Sequence, residues 1–496
     1  MSDDFCSPRQ PAVDSVATTV TDSPREIRWL TASIVILVLL RLWMMATHPL
    51  TDTTEARYGE LARVTADGGF WLMPHMTPTE PFFAKPPLST WLAAGSWKLL
   101  GQSEFALRFP SFVMSIITVG LTLVMARDVG VGRSGRWMTA TMLATSPMFL
   151  ASAGAVMTDA TQMSIVTAAM LVSWRALRDP ERRRWRLLFW SLLGIATLAK
   201  GLATLALIGL PLIAYVAFGE GLVVVWRRLF DPWGALLAAA LCLAWYVPAE
   251  RAYPGFLNYF LIGEHFQRFL QPGWAGDRYG RAHRTPLGMI WLYWIAGIGL
   301  WLPVFLNEAT RLIRRFRREP IAMSDRWLWC WVLAPLIFFT ASRNIIVTYT
   351  LTAIPPFAMI VGQWSESNPG RLRRIAPACA MGFALVLGAV GLSWLPRAIE
   401  DLSARQLVNS AKSLAPEANI VVRGCYPFSS SFYTRGSALR IDDKVAFAEA
   451  IRQPGTVLLV SENEAQALRA NPHLRELARN SRGTLLEVLR STAPDR

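Results

Sequence analysis

TDTTEARYGELARVTADGGFWLMPHMTPTEPFFAKPPLSTW, Thr51–Trp91, is a polar stretch lodged between two apolar runs, Trp29–Ala46 and Phe112–Met125. Similar runs recur at Trp137–Ala153, Thr161–Ala176, Leu187–Leu198, Leu202–Phe218, Trp233–Val247, Leu287–Leu306, Trp327–Thr340, Ile345–Val361 and Ile375–Leu395. Each approaches the ~20 residues that carry an α-helix across hydrocarbon, where every backbone polar group must bond within its own segment. The expectation is an all-α polytopic membrane protein with about 11–13 transmembrane helices. Composition agrees: 53% of residues are hydrophobic and only 17% charged, with a mean hydropathy of +0.31. Acids, bases and aromatic residues are concentrated in the quoted loop, where a membrane protein would meet a lipid-linked substrate.

The net charge of +15 lies in particular connecting loops and is no nucleic-acid footprint. Arginines cluster at Arg127, Arg133 and Arg136, at Arg175, Arg178, Arg182, Arg183, Arg184 and Arg186, and at Arg227 and Arg228. Further clusters run from Arg311 to Arg318 and through Arg371, Arg373 and Arg374. Such loops alternate with loops poor in basic residues, so the positive-inside rule puts the N-terminus in the cytoplasm and the C-terminal tail outside. The first run follows polar residues without an evident cleavage site and reads as a retained helix. Residues 1–27 read as a disordered cytoplasmic tail, and 28–395 as the membrane body with outer loops 51–111 and 250–285. Residues 396–496 read as a small periplasmic α/β domain, with strands in Asn419–Gly424 and Gly455–Glu462 and a helix in Lys444–Gln453. Cys6, Cys242, Cys330, Cys379 and Cys425 form no disulfide or metal-binding pattern.

Asp52, Glu55, Lys85, Asp159, Lys200, Glu264 and His265 all fall on the outer side or at outer helix ends. Ionisable residues are expensive at membrane depth, so their gathering at one face points to a site. Asp52 and Glu55 have capping-box spacing for a helix carrying Tyr58, Leu61, Ala62 and Thr65 along one interfacial face. Alternatively, one of the two carboxylates is a general base for an acceptor hydroxyl. Arg57 and Lys85 add positive charge, and Pro86 and Pro87 hold Lys85 on extended backbone. Lys85 therefore suits a phosphate, or else snorkels to headgroups. Asp159 and Lys200 either terminate their helices or join this face. In the loop containing Glu264, His265, Arg268, Asp277, Arg278, Arg281, His283 and Arg284, Arg268 suits a lipid phosphate. Glu264 and His265 are adjacent, a weak signal for a divalent cation. Arg343 and Tyr349 anchor the segment Ser342–Phe357, and Tyr349 serves either a phosphate or the aromatic belt.

Seven motifs in order carry a resemblance: E-x-R-Y at Glu55–Tyr58, F-x-K-P at Phe83–Pro86, E-F-A-x-R-x-P at Glu104–Pro110 and T-D at Thr158–Asp159. K-G at Lys200–Gly201, E-H-F-x-R-F at Glu264–Phe269 and T-Y at Thr348–Tyr349 complete the set. On these the chain resembles the ArnT-like and protein-mannosyltransferase-like membrane glycosyltransferases of the GT-C superfamily. The resemblance implies transfer of a sugar from a polyprenyl-phosphate donor to a lipid (lipid A-like) or other glycan acceptor, at the periplasmic face of a bacterial inner membrane. By its implication Asp52, Glu55 and Asp159 are catalytic candidates, and Arg57, Tyr58, Lys85, Lys200, His265, Arg268 and Tyr349 bind substrate. The family usually reads D-E-x-R-Y and F-E-K-P, with that Asp taken as catalytic. Here Thr54 and Ala84 stand at those places, which leaves the base open between Asp52 and Glu55 and removes one carboxylate from any metal site. No cofactor is firmly implied beyond a possible divalent cation. The rival readings are a protein O-mannosyltransferase and a transporter or flippase of lipid-linked sugars; the latter would place its charges at the bilayer midplane.

Overall fold

The computed structural model describes residues 24–489 apart from 220, 281, 317 and 369. Most of the expected N-terminal tail, Cys6 and Arg281 thus lie outside the described residues. Five helices are long and apolar enough to cross a bilayer: Pro24–Thr47, Glu104–Asp128, Pro232–Ala252, the composite Met289–Phe316, and Arg373–Ser393. The protein is a multi-pass membrane protein. Shorter or more polar helices, among them Arg133–Thr145, Asp159–Arg178, Arg183–Lys200, Leu202–Ala217, Met323–Thr340 and Ile354–Ser367, pack inside this set. Exposed Leu39, Ile116, Leu236, Leu292 and Leu385 mark the outward face, an arrangement that hydrocarbon and not water stabilises.

Several of the polar side chains inside the bundle are threonines that bond back along their own helices. Thr118, Thr122, Thr139 and Thr145 each donate to the carbonyl four residues earlier, at 2.6–2.9 Å. Helices Arg133–Thr145 and Ile354–Ser367 meet through Gly135 and Gly362. A Cβ on Gly362 would stand 2.3 Å from Thr139 Oγ1 and 2.7 Å from the Gly135 carbonyl. Small residues at this crossing permit the close backbone approach. Glu366 closes the end of the same pair, accepting from the Gly132 and Gly135 amides at 3.0 and 2.8 Å.

Three expected spans differ in form. Trp137–Ala153 is two helices, Arg133–Thr145 and Pro147–Ser152, because Pro147 has no N–H and pushes Ser146 to an extended conformation. Ile345–Val361 is a 3₁₀ segment, Val347–Ala353, followed by a helix whose first turn holds Pro355 and Pro356. Leu287–Leu306 is interrupted at Gly299–Trp301 and runs on to Phe316. The first helix begins at Pro24, so residues 24–27 are helical where the sequence reading had a disordered tail.

Between the first two long helices, strands β1 (His75–Thr77) and β2 (Glu80–Pro81) form a small hairpin after helix Thr54–Gly68. The C-terminal region adds β3 (Asn419–Arg423), β4 (Leu439–Arg440), β5 (Thr456–Ser461), β6 (Leu474–Arg479) and β7 (Gly483–Val488). Their order is β4-β3-β5-β7-β6, parallel in the first three and antiparallel in the last three. The expected strands and the helix, Lys444–Ala450, are all present. Helix Ser429–Tyr433 of this domain sits on helix Thr54–Gly68. Tyr433 accepts from the Leu50 amide at 2.8 Å and donates to Glu104 at 3.1 Å, and Arg405 donates to the Thr47 carbonyl at 3.0 Å. Helix Thr54–Gly68 is therefore covered on both sides, with Leu61, Ala62 and Thr65 fully buried, and is not a helix lying open at the interface.

Beneath it lies Arg108, 4% exposed, which uses all five N–H groups. Two go to Glu55, both at 2.8 Å, and three to the carbonyls of Met45, His48 and Pro49 at 2.6–3.1 Å. Arg108→Ala leaves Glu55 as an uncompensated buried charge and is expected to cost about 3–5 kcal/mol. A double variant, Glu55→Gln with Arg108→Met, should recover part of that loss. Thermal unfolding of the purified protein in detergent tests this; a double variant no more stable than Arg108→Ala contradicts it.

Candidate active site

Lys85 closes the segment Phe82-Phe83-Ala84, buried by aromatic packing of Phe83 against Tyr253, Phe256 and Tyr259. Tyr279 ties this segment down: its hydroxyl donates to the Pro81 carbonyl at 2.7 Å and accepts from the Phe83 amide at 3.1 Å. Lys85 Nζ then reaches Glu264 Oε2 at 2.7 Å. Glu264 Oε1 takes Arg268 Nη1, also at 2.7 Å, and Arg268 Nη2 reaches Asp277 at 2.9 Å. The Tyr259 hydroxyl adds a longer contact to Glu264, 3.4 Å. One buried carboxylate thus holds two cations side by side. Burial alone would raise the Glu264 pKa, but Lys85 and Arg268 more than reverse this and hold it below the usual range.

The second ion pair is Lys200 with Asp159, 2.8 Å apart and 7% and 5% exposed. Asp159 opens helix Asp159–Arg178 and Lys200 ends helix Arg183–Lys200. Tyr349, from the 3₁₀ segment, places its ring 5.0 Å from Lys200 Nζ. Among the described residues, Asp159 Oδ2 makes no hydrogen bond. Tyr58 joins the two pairs, lying within electrostatic reach of Arg57, Lys200, Asp159 and Glu264. Burial raises the Tyr58 pKa and keeps its hydroxyl a donor. Arg57 stacks between Tyr58 and Phe428 at 5.3 and 5.6 Å and donates to the Tyr279 carbonyl at 2.9 Å.

Glu264 and His265 lie in a π-helical segment, Asn258–Gln267. His265 Nδ1 must donate to the Phe260 carbonyl, 2.8 Å away, since a carbonyl can only accept. Phe260 and His265 also explain the glycine after Lys200: Gly201 has φ +65°, and a Cβ there would stand 2.5 Å from Phe260 Cζ and 3.1 Å from His265 Cε1. Both Glu264 oxygens are taken by Lys85 and Arg268, and among the described residues no group of three or more His, Cys, Asp or Glu gathers.

Of the sequence candidates, Arg57, Tyr58, Lys85, Asp159, Lys200, Glu264, His265, Arg268 and Tyr349 come together. Asp52 and Glu55 face elsewhere. Asp52 does not cap the helix that follows it, which starts without a side-chain cap. Its carboxylate accepts the amides of Phe428 and Ser429, each at 3.0 Å, and the Ser429 hydroxyl. Burial raises its pKa, and the Ser429 bonds only partly offset this. The capping-box reading fails because the C-terminal domain supplies better donors than the helix terminus. Glu55 is committed to Arg108, which outweighs burial and lowers its pKa.

Tyr259 and Phe428 support the site without having been named in sequence, and Arg108 and Asp277 without having been given a role there. Arg108 had a signal, a cation near the start of a long apolar helix. Phe428 had none, because it comes from a separate domain. Asn344, 6% exposed, connects the segment of Arg343 to the site by donating to the Arg268 carbonyl at 3.1 Å and accepting from the His283 amide at 2.9 Å.

A family model described as dolichyl-phosphate-mannose-protein mannosyltransferase matches residues 84–250. An undecaprenyl phosphate-α-4-amino-4-deoxy-L-arabinose arabinosyl transferase of Proteus mirabilis is 27% identical over 66% of this chain and 57% of its own length. One from Pseudomonas fluorescens is 28% identical over 74% of this chain and 63% of its own length. The chain thus spans roughly three-fifths of the relatives it matches. The crystal structure of ArnT from Cupriavidus metallidurans bound to undecaprenyl phosphate superposes with a TM-score of 0.75 at 18% identity, covering 95% of this chain and 99% of that one. The fold is that of ArnT. The apo form of the same protein superposes at 0.73. The superposition extends over the small C-terminal sheet domain, which the alternation of strand and helix patterns in residues 396–496 had predicted.

Burial lowers the pKa of His265, and the charge of Lys85 adds to this. The folded state therefore binds fewer protons than the unfolded one, and stability falls as pH drops below the unfolded value of about 6.5. This slope contributes at most about 1.4 kcal/mol per pH unit. His265→Asn keeps a donor near Phe260 and removes the titration. Its melting temperature should fall less than that of the wild type between pH 7.5 and 5.5; parallel curves would contradict a neutral buried imidazole.

Proposed function

We propose that the chain is a glycosyltransferase that moves a sugar from a polyprenyl-phosphate donor to a lipid or glycan acceptor at the outer face of a bacterial inner membrane. The observation that carries this reading is the paired arrangement of Lys85–Glu264–Arg268 and Lys200–Asp159 around Tyr58 and Tyr349. A lipid phosphate needs cations held in a low-dielectric cleft, and Glu264 holds two of them without using all their protons. The matching family and the relatives share one chemistry in their names, a sugar carried on a polyprenyl phosphate. A transporter reading is weaker, since Asp159 and Lys200 stand at helix ends and not in mid-span.

In the proposed reaction the acceptor hydroxyl attacks the anomeric carbon and the bond to the phosphate oxygen breaks with inversion. Its electron pair stays on the lipid phosphate, where Lys85 and Arg268 meet the growing charge, with Tyr58 and Tyr349 as hydroxyl donors. Asp159 is the proposed acceptor of the hydroxyl proton, because its Oδ2 is free of other hydrogen bonds among the described residues. Asp52 and Glu55 then act as positioning residues, their oxygens already engaged. Lys200 orients Asp159, and His265 supports the cleft through Phe260 and Gly201.

Turnover with an undecaprenyl-phosphate-linked sugar tests these roles. Asp159→Asn should lower the rate at least about 100-fold with donor affinity retained. Asp52→Asn should instead shift thermal stability, with a smaller rate effect. Lys85→Ala should weaken binding of undecaprenyl phosphate well beyond the ~0–1 kcal/mol of an exposed contact. Normal turnover in Asp159→Asn would refute its assignment, and unchanged affinity in Lys85→Ala would reduce that residue to an interfacial anchor.

The orientation that puts the cleft outside rests on the arginine-rich loops. Alkaline phosphatase fused after Leu395 should be active, and fused at Arg182–Arg186 inactive. The reverse pattern would invert the topology.

A further inference from the structure

Helices Asp159–Arg178 and Arg183–Lys200 hold the Asp159–Lys200 pair at one end. At the other end, about 30 Å away at 1.5 Å per residue, they form a concavity of about 470 Å³. Its walls carry four arginines, Arg175, Arg178, Arg182 and Arg184, and two indoles, Trp174 and Trp185. Two acids oppose them: Asp128 takes Arg175 at 2.6 Å and Asp179 takes Arg182 at 2.7 Å. Four guanidinium charges against two carboxylates leave an excess of two. That excess sits on Arg178 and Arg184, both exposed.

Neither of these two has a carboxylate partner among the described residues. Arg178 lies over Trp174 at 5.5 Å and Arg184 over Trp185 at 4.7 Å. An indole face holds a guanidinium in place without neutralising it. One helical turn beyond this lining, two of the same helices carry exposed aliphatic side chains: Val124 four residues before Asp128, and Leu188 four after Arg184. The concavity is cationic, and apolar side chains stand one turn from it.

We infer that this concavity binds the phosphate-bearing headgroup of an anionic membrane lipid, at the face of the bilayer opposite the sugar-transfer cleft. The phosphate is placed between Arg178 and Arg184, and an acyl chain along Val124 and Leu188. Basic pockets between membrane helices recognise such headgroups by this combination. The exposed Val124 and Leu188 one turn away favour a lipid over a soluble phosphate. The inference rests on the membrane-spanning fold and stands apart from the transfer reaction.

Native mass spectrometry of the full chain in detergent tests it, with dioleoyl phosphatidylglycerol, dioleoyl phosphatidylcholine and glycerol 3-phosphate as probes. Phosphatidylglycerol should bind in preference to phosphatidylcholine and to glycerol 3-phosphate. Arg178→Gln with Arg184→Gln should weaken it roughly 30-fold, from the strength of two basic contacts near a membrane surface. Arg178→Lys with Arg184→Lys, which keeps the charge should the first pair fold poorly, should retain most of the preference over phosphatidylcholine. Arg314→Gln with Arg318→Gln removes the same charge from the exposed end of helix Met289–Phe316 and the turn after it, and should bind as the wild type does. Equal losses in the two glutamine pairs, or no preference over phosphatidylcholine, overturn the site. Glycerol 3-phosphate binding as tightly as the lipid reassigns it to a soluble phosphate and overturns the lipid.

Discussion

The buried pair of Glu55 and Arg108 is the constraint on which the outer half of the molecule depends. A guanidinium removed from water is costly unless every N–H finds an acceptor, and here all five do. Because three acceptors are carbonyls of the last turn of the first helix and the residues just after it, that helix end cannot move without breaking bonds in the pair. Glu55 also accepts the Val156 amide at 3.3 Å, so the turn before Asp159 is tied to the same charge. Tyr58 and Asp159 thereby take their places from one electrostatic lock.

The C-terminal domain closes this arrangement from outside. Asp52 is held by Ser429 and Phe428, and Phe428 lies against Arg57, the neighbour of Tyr58. Where the resembling family carries its Asp before the E-x-R-Y motif, this chain has Thr54, and its nearest Asp has become the link to another domain. A carboxylate that accepts three donors is a good fastener. Its oxygens are engaged there by the C-terminal domain and not turned to the Asp159–Lys200 pair.

Within the cleft, each acid is matched to a cation. Glu264 holds Lys85 and Arg268, and Asp159 holds Lys200, so in the proposed transfer the charges are placed beforehand. Preorganisation of this kind is what stabilises charge developing on a leaving phosphate, since no group has to reorient as the bond breaks.

Sequence alone determined that the chain crosses a membrane repeatedly, since nothing but a helix satisfies the backbone of a long apolar run. It also marked most of the cleft, because a lysine before two prolines or an Asp at a helix start is conspicuous amid so few charges. It located the strands Asn419–Arg423 and Thr456–Ser461 by their apolar runs. What it left undecided was partnership. Local spacing made Asp52 and Glu55 a capping pair or a base, and only the folded chain brought Ser429, 377 positions away, and Arg108, 53 positions away, to claim them. Breaks at Ser146 and Ile354 were signalled by prolines but hidden by hydropathy, which counts apolar surface and not backbone hydrogen bonds. The roles of charged residues here are set by long-range contacts, and a periodic pattern along the chain carries no record of those.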